Sequence, residues 1–363
     1  MLHYLSKFVK QSATAPKTVV DLLSDITIGT NGAKYSHLHT KNKIHTLHQP
    51  KFIYLQKNHK AIANVTICKR PIYIRKQPID SFYIRYFAFK SSLQSRLKSH
   101  YKSHPKKGHS FFDEYLKILF STSNFNVEQP EYNPSLFWAY IDPENQRSFN
   151  MGKRFGFETI GYFRTYGFSR FYPIQHKNVK RIQPKEQSLV KQQLLDFYKD
   201  HAFYSNVHLF KHNDYFVYKH NGKIVAGVQT YNVHWRIDEL PGIKGKIIVK
   251  VLPYIPFIRR IINPKSFKFL AVDQLFWKKE YQDKVQILLE SVLAIQQKNA
   301  LLLWLDDADY KMTAMIESLK LGIIQKLKSD NTIEIVAKFN QYNKTQIDEI
   351  LNTKKYISGF DTT

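Results

Sequence analysis

Five consecutive residues, Lys106-Lys107-Gly108-His109-Ser110, put two cations, a glycine and a helix-capping serine side by side. Glycine lets a backbone approach a ligand closely, and the free amides of a helix start favour phosphate. Ser110 reads as the N-cap of a helix over about Phe111–Phe120, with Asp113 three residues on completing a capping-box variant. The pattern predicts an anion site. Groups able to take a proton are fewer. Asp142 follows a strand at Leu136–Ile141 that also carries Tyr140, Asp273 ends a strand in the second half, and Asp306, Asp307 and Asp309 follow a third. Each could act as a base directly or through water; for each taken alone, a solvated turn or cap is the plainer reading. His37, His39, His45 and His48 lack nearby carboxylates or thiols, so no metal site is expected there. Cys68, the single cysteine, reads as a small core residue inside a strand.

The elements that position these groups need packed cores, and the composition supplies them: 363 residues, 43% hydrophobic and 15% aromatic, with room for about two domains. One cysteine, short apolar runs and an N-terminus without signal-peptide character predict a protein of the cytoplasm. The net charge of +26 calls for an anionic partner, whether nucleic acid, an anionic membrane face or a phosphorylated cofactor. The charge is concentrated: residues 1–180 carry 28 Lys/Arg against 10 Asp/Glu, and residues 181–363 carry 27 against 19.

The polar stretch 173–184 reads as a linker between two units of similar order. In the first, β-rich runs at 52–55 and 61–67 flank a turn. A strand at 82–89, a helix near 111–120, a strand at 136–141, a short helix from about 147 and strands around 158–172 follow. In the second, a helix near 187–200 precedes strands at 215–218 and 224–230, joined by Asn221-Gly222, a strong type I′ signal. Then come a strand at 267–272, a helix near 283–297, a strand at 301–305, a short helix near 312–320 and a strand at 332–339. The expected class is α/β (α+β): tandem modules, each a mixed, mostly antiparallel twisted sheet flanked by helices. Their bounds are 1–175 and 185–340, with a linker at 176–184 and a tail or helix at 341–363.

Between residues 82 and 161 the chain resembles the GCN5-related N-acetyltransferase (GNAT) superfamily. Asn145, Ser148 and Gly156-Phe157 fall at that family's spacing after a strand, and Pro105-Lys-Lys-Gly108-His-Ser110 is similar to its cofactor loop at the central glycine and the small last residue. The resemblance implies acyl transfer from acyl-coenzyme A to a primary amine, without a covalent enzyme intermediate or a metal. It places the pyrophosphate on Lys106, Lys107, Gly108, His109 and Ser110, the pantetheine along the strand ending near Phe89, and Asn145 and Ser148 beside the pantetheine. Tyr140, Asp142 and Asp273 are the candidate catalytic groups. The family's tyrosine acid is missing, because Met151 and Gly152 stand at its positions. The second half resembles the family more faintly, with Leu321-Gly322 in place of Gly-Phe and no glycine loop, and reads as a degenerate partner on the acceptor side.

Residues 247–262 mix apolar residues, two prolines and three cations. They suit an anionic membrane interface or a lipid acceptor, or else a buried insertion between the halves. The expected activity is therefore an acyl-CoA N-acyltransferase acting on an amine, with a lipid or long-chain amine favoured, in the cytoplasm or peripheral on the inner membrane face. The alternatives are an aminoacyl-tRNA-dependent transferase on the related tandem fold, and a non-catalytic basic RNA-binding or scaffold protein. Nucleic acid is the weaker partner, since no ribonucleoprotein-type motif is present.

Overall fold

Two tight reversals organise the sheet. Asn58 and His59 take φ of 48° and 60° between β3 (Pro50–Lys57) and β4 (Lys60–Lys69). Asn221 and Gly222 take 47° and 76° between β10 (Tyr215–His220) and β11 (Lys223–Glu239), the two positive values a type I′ turn demands. The computed structural model describes residues 8–29, 33–74, 77–90, 111–126, 129–327 and 332–363. The remaining strands are β1 (Val9–Ser12), β2 (Lys34–His37), β5 (Ile72–Ile74), β6 (Gln77–Phe89), β7 (Ser135–Ile141), β8 (Glu158–Ser169), β9 (Val179–Arg181), β12 (Phe267–Trp277), β13 (Ala300–Asp306) and β14 (Thr332–Asn340). Among the described residues they form one 14-stranded sheet, ordered β1-β3-β4-β6-β7-β14-β8-β13-β12-β11-β10-β9, with β2 added to β11 and β5 to β6.

Most ladders are antiparallel. The two parallel ones among the described residues, β6–β7 and β12–β13, occupy equivalent places in the two units. Each is followed by a bulge. In β6, Tyr86 and Phe87 face a single residue of β4, and Tyr86 has φ 53°. In β12, Gln274 and Leu275 face a single residue of β11, and Gln274 has φ 50°. An extra residue of this kind bends the strand and ends regular pairing. The units also exchange their last strands: β8 pairs with β13 of the second unit, and β14 pairs with β7 of the first.

Helices cover the sheet where the sequence carries apolar faces. In the first unit, α3 (Phe111–Leu119) and α4 (Gln146–Arg154) bury Leu116, Leu119, Met151 and Phe155 against Phe82 and Phe137. In the second, α8 (Lys284–Ile295) and α9 (Tyr310–Glu317) bury Leu288, Val292, Met315 and Ile316 against Leu301 and Leu303. A third core joins both units through Trp138, Phe163, Phe269, Leu302 and Trp304. The other helices are α1 (Lys17–Ser24), α2 (Thr40–Ile44), α5 (Gln187–Phe197), α6 (Gly242–Lys250), α7 (Pro256–Ile261), α10 (Ile323–Leu327) and α11 (Lys344–Asn352).

The α/β class and the mostly antiparallel sheet agree with the sequence reading. Three details differ. The stretch read as a linker contains β9, which pairs with β10. The early segments β1, β2, α1 and α2 carry no strong local signal and are held by partners distant in sequence, such as Ile53 for Gln11 and Trp235 for His37. Within the stretch read as a tail or helix, α11 is followed by residues that pack inward, Lys355, Tyr356, Phe360, Asp361 and Thr363 being buried. No helix among the described residues is long and apolar enough to cross a membrane.

Candidate active site

The rungs of β6 and β7 run from Asp80–Ser135 to Tyr83–Trp138 and stop, although both strands continue. The strands part beyond Tyr83, and a cavity of about 810 Å³ begins there. Residues 83–88 of β6 and 139–142 at the end of β7 form its mouth, with Asn145, the N-cap of α4, and Ser148 and Gly152 of α4 beside them. Inward, the wall is apolar: Phe163, Trp235, Phe267, Leu302, Trp304 and Ile324 come from both units. A volume of this size, mostly apolar with a few convergent polar groups, is the character of a small-molecule site.

Two polar groups read from the sequence lie on this wall at the end of β7. Tyr140 is enclosed by Tyr83, Trp138 and Phe163, and burial raises its hydroxyl well above the usual tyrosine range. Asp142 accepts the Glu144 amide at 3.0 Å. Asn145 caps α4, its Oδ1 accepting the Ser148 amide at 3.2 Å; the Asn–Ser spacing is therefore first a capping device, and both residues also line the cavity. Phe89 stands just outside the wall, packed on Phe87 and Phe112. Lys106, Lys107, Gly108, His109 and Ser110 lie outside the described residues.

Asp273 belongs elsewhere. It sits at the second parting, where β12 and β13 separate after Ala271–Leu302. Residues 355–357 fill that gap. The Tyr356 hydroxyl donates to Asp273, as do Ser358 Oγ at 3.1 Å and the Gln274 amide at 3.1 Å. Burial pushes the Asp273 carboxyl up to about 6, these donors opposing the rise. The Asp306–Asp309 cluster is likewise structural. Asp306 accepts the Lys355 amide, Asp307 pairs with Arg164 at 3.2 Å, and Asp309 caps α9 while meeting His201 Nε2 at 2.7 Å.

The sequence reading missed the polar end of the cavity. Tyr35 and His37 of β2 stack on Trp235 of β11, with centroids 4.7 and 5.3 Å apart. Burial, with Lys43 and Arg85 adding repulsion, drives the His37 imidazole well below its ordinary pKa, so it stays neutral, and its Nε2 has no hydrogen-bond partner among the described residues. Behind them the last residues are clamped. Arg70 grips Asp361 through two bonds of 2.6 and 3.1 Å, Arg85 donates to the Asp361 main-chain oxygen at 2.7 Å, and Tyr83 does so at 2.8 Å. Lys43 and Arg85 both reach the main-chain oxygen of Thr363. Burial would raise the Asp361 carboxyl, but Arg70 outweighs it and holds the group below the usual range. The nearest sequence clue was the alternation Tyr35-Ser-His37, one face of a short strand.

No known family profile and no curated protein match the chain in sequence. Solved structures match in fold. Saccharomyces cerevisiae N-myristoyltransferase with bound myristoyl-CoA superposes with a TM-score of 0.54 at 11% identity, over 92% of this chain and 83% of that one. The same enzyme with myristoyl-CoA and inhibitors gives 0.53 at 11% identity, over 92% and 80%. The bulged β6, its parting from β7 and the strand exchange thus sit in an architecture already known: the chain has the GNAT-like fold of N-myristoyltransferase.

Proposed function

We propose that the protein is an acyl-CoA-dependent N-acyltransferase that binds a long-chain acyl-CoA at the β6–β7 parting and transfers the acyl group to a primary amine. The observation that carries this is the continuity of the parting with a large apolar cavity. A thioester at the mouth would send its acyl chain inward among Phe163, Trp235, Leu302 and Trp304. The unladdered edge of β6 past Tyr83 offers backbone amides and carbonyls to a pantetheine, and the fold's similarity to a myristoyl-CoA-bound enzyme supports the same donor.

The chemistry needs few groups. The amine nitrogen attacks the thioester carbonyl, the C–N bond forms, the C–S bond breaks, and the nitrogen gives up one proton while the departing sulfur gains one. Tyr140 stays protonated and is able to donate to the sulfur. Asp142 is the wall group that takes the proton from nitrogen, since the surroundings that keep His37 neutral also oppose its protonation. A lipid amine is the favoured acceptor, because α6, which lines the cavity, also exposes Ile243 and Ile247 beside its lysines; that acceptor would be met on the cytoplasmic side, at a membrane.

Purified protein given myristoyl-CoA and dodecylamine should release coenzyme A thiol only when both are present, with the amide detected by mass spectrometry. Asp142→Asn should lower kcat about 10²- to 10⁴-fold while leaving myristoyl-CoA affinity unchanged. Calorimetry showing no binding of myristoyl-CoA to the wild type would overturn the proposal.

A further inference from the structure

Six of the sixteen large apolar side chains exposed among the described residues lie between Ile243 and Phe257. Ile243 is 80% exposed, Tyr254 75% and Phe257 67%, values that leave no room for a packing role. Ile243, Ile247 and Val251 recur every four residues, so they share one face of α6 and its extension. The opposite face is anchored: Ile248 and Leu252 are buried, and a Cβ at Gly245 would stand 2.4 Å from the Leu240 carbonyl, so the helix is pressed tightly onto the chain before it. From Leu240 to Val272 there is no carboxylate, and seven cations are present: Lys244, Lys246, Lys250, Arg259, Arg260, Lys265 and Lys268. Arg260 lies over the exposed ring of Tyr172 at 5.0 Å, which extends the same surface to the end of β8.

We infer that α6 and α7 seat the protein on an anionic lipid bilayer, and that α6 is the wall through which the cavity communicates with that bilayer. Lysine is depleted in protein–protein interfaces, whereas an apolar helical face flanked by lysines suits the boundary between headgroups and acyl chains. Nucleic acid would use the cations but leave Ile243, Tyr254 and Phe257 without purpose. Each cation near an anionic surface strengthens binding roughly fivefold, so several together produce stable attachment before any side chain is buried. The second half of the inference rests on the acyltransferase reading: Gly242–Gly245 and Ile248 line the cavity, and Ile243 among them is also exposed, so the first turn of α6 stands at a rim where cavity and bilayer meet. Ile258, by contrast, is packed against the core and is no part of the docking face.

The test is co-sedimentation of the full chain, without any acyl-CoA, with vesicles of phosphatidylcholine alone or with 30% phosphatidylglycerol. Binding should require phosphatidylglycerol and weaken steeply between 50 and 300 mM salt. Tyr254→Ser/Phe257→Ser should reduce it at least tenfold with an unchanged melting curve, and Ile243→Ser should reduce it severalfold. Lys244→Gln/Lys250→Gln should reduce it mainly at low salt. Absence of binding by the wild type would overturn the inference, as would binding untouched by all three variants. A concentration-dependent dimer that Phe257→Ser abolishes would overturn it too, giving the face to a second copy. Failure of the acyltransferase reading would show differently, as lost myristoyl-CoA binding with vesicle attachment intact.

Discussion

Tyr83 and Trp138 form the last rung of the β6–β7 ladder, their rings 4.6 Å apart, and Trp138 Nε1 is held by Ser81 Oγ at 2.8 Å. Beyond that rung the two strands no longer pair with each other, and residues 84–88 of β6 and 139–141 of β7 line the cavity. The equivalent rung in the second unit, Ala271–Leu302, is followed not by space but by Lys355 and Tyr356.

The contrast sets a stoichiometry. One myristoyl-CoA should bind per chain, because the second parting is closed by the Tyr356–Asp273 and Lys355–Asp306 hydrogen bonds. Titration calorimetry giving two sites per chain would show that residues 354–358 are displaced on binding.

Cavity volume should control acyl length. Ala139 lines the mouth where the strands part. Ala139→Trp should weaken myristoyl-CoA at least tenfold and shift preference to acetyl-CoA, while free coenzyme A changes little. Competition between the three ligands, read by intrinsic tryptophan fluorescence or calorimetry, measures this.

The Arg70–Asp361 pair fastens the last residues to the chain just after β4, with both side chains nearly inaccessible. Removing one partner of such a pair strands the other charge in the interior. Arg70→Met should cost about 3–5 kcal/mol in urea denaturation. Because the same clamp backs the polar end of the cavity, myristoyl-CoA affinity should fall as well.

Asp273 makes stability depend on pH in an unusual direction. Its folded pKa, about 6, lies above the ordinary 3.8, so between those values the folded state holds a proton that the unfolded state has released. Stability contributed by this group is full below pH 4 and is lost as pH rises to 6, by about 3 kcal/mol at most. Asp361, depressed by Arg70, acts oppositely and only below about pH 4. The lowered pKa values of His37, His39 and His208 give the opposite slope in both proteins, so the stability of the wild type relative to Asp273→Asn, read from urea midpoints between pH 4 and 7, should fall as pH rises.

Local signals carried the first unit far. The strand at 82–89, the strand at 136–141 and the helix capped by Asn145 are where the sequence placed them, because an apolar strand run and an Asn cap act within a few residues. The polar end of the cavity was not legible. Tyr35 and His37 reach it only because β2 pairs with β11, some two hundred residues away, and Asp361 because Arg70 draws it in. No periodicity records such pairings. Asp273 shows the converse: read as the end of a strand, it lies inside β12, where three donors hold it.

The exchange of β8 and β14 has a consequence for synthesis. When residues 1–170 have left the ribosome, β7 and β8 each lack a neighbour, since β8 pairs with β13 and β14, and β7 with β14. At roughly 5–20 residues per second, the bare edges of two aromatic-rich strands wait on the order of ten seconds or more for their partners. The units cannot close one after the other. The nascent first unit is therefore a natural client for holding chaperones, and cutting the gene at the polar stretch between the units should yield two sticky fragments that fold only when expressed together.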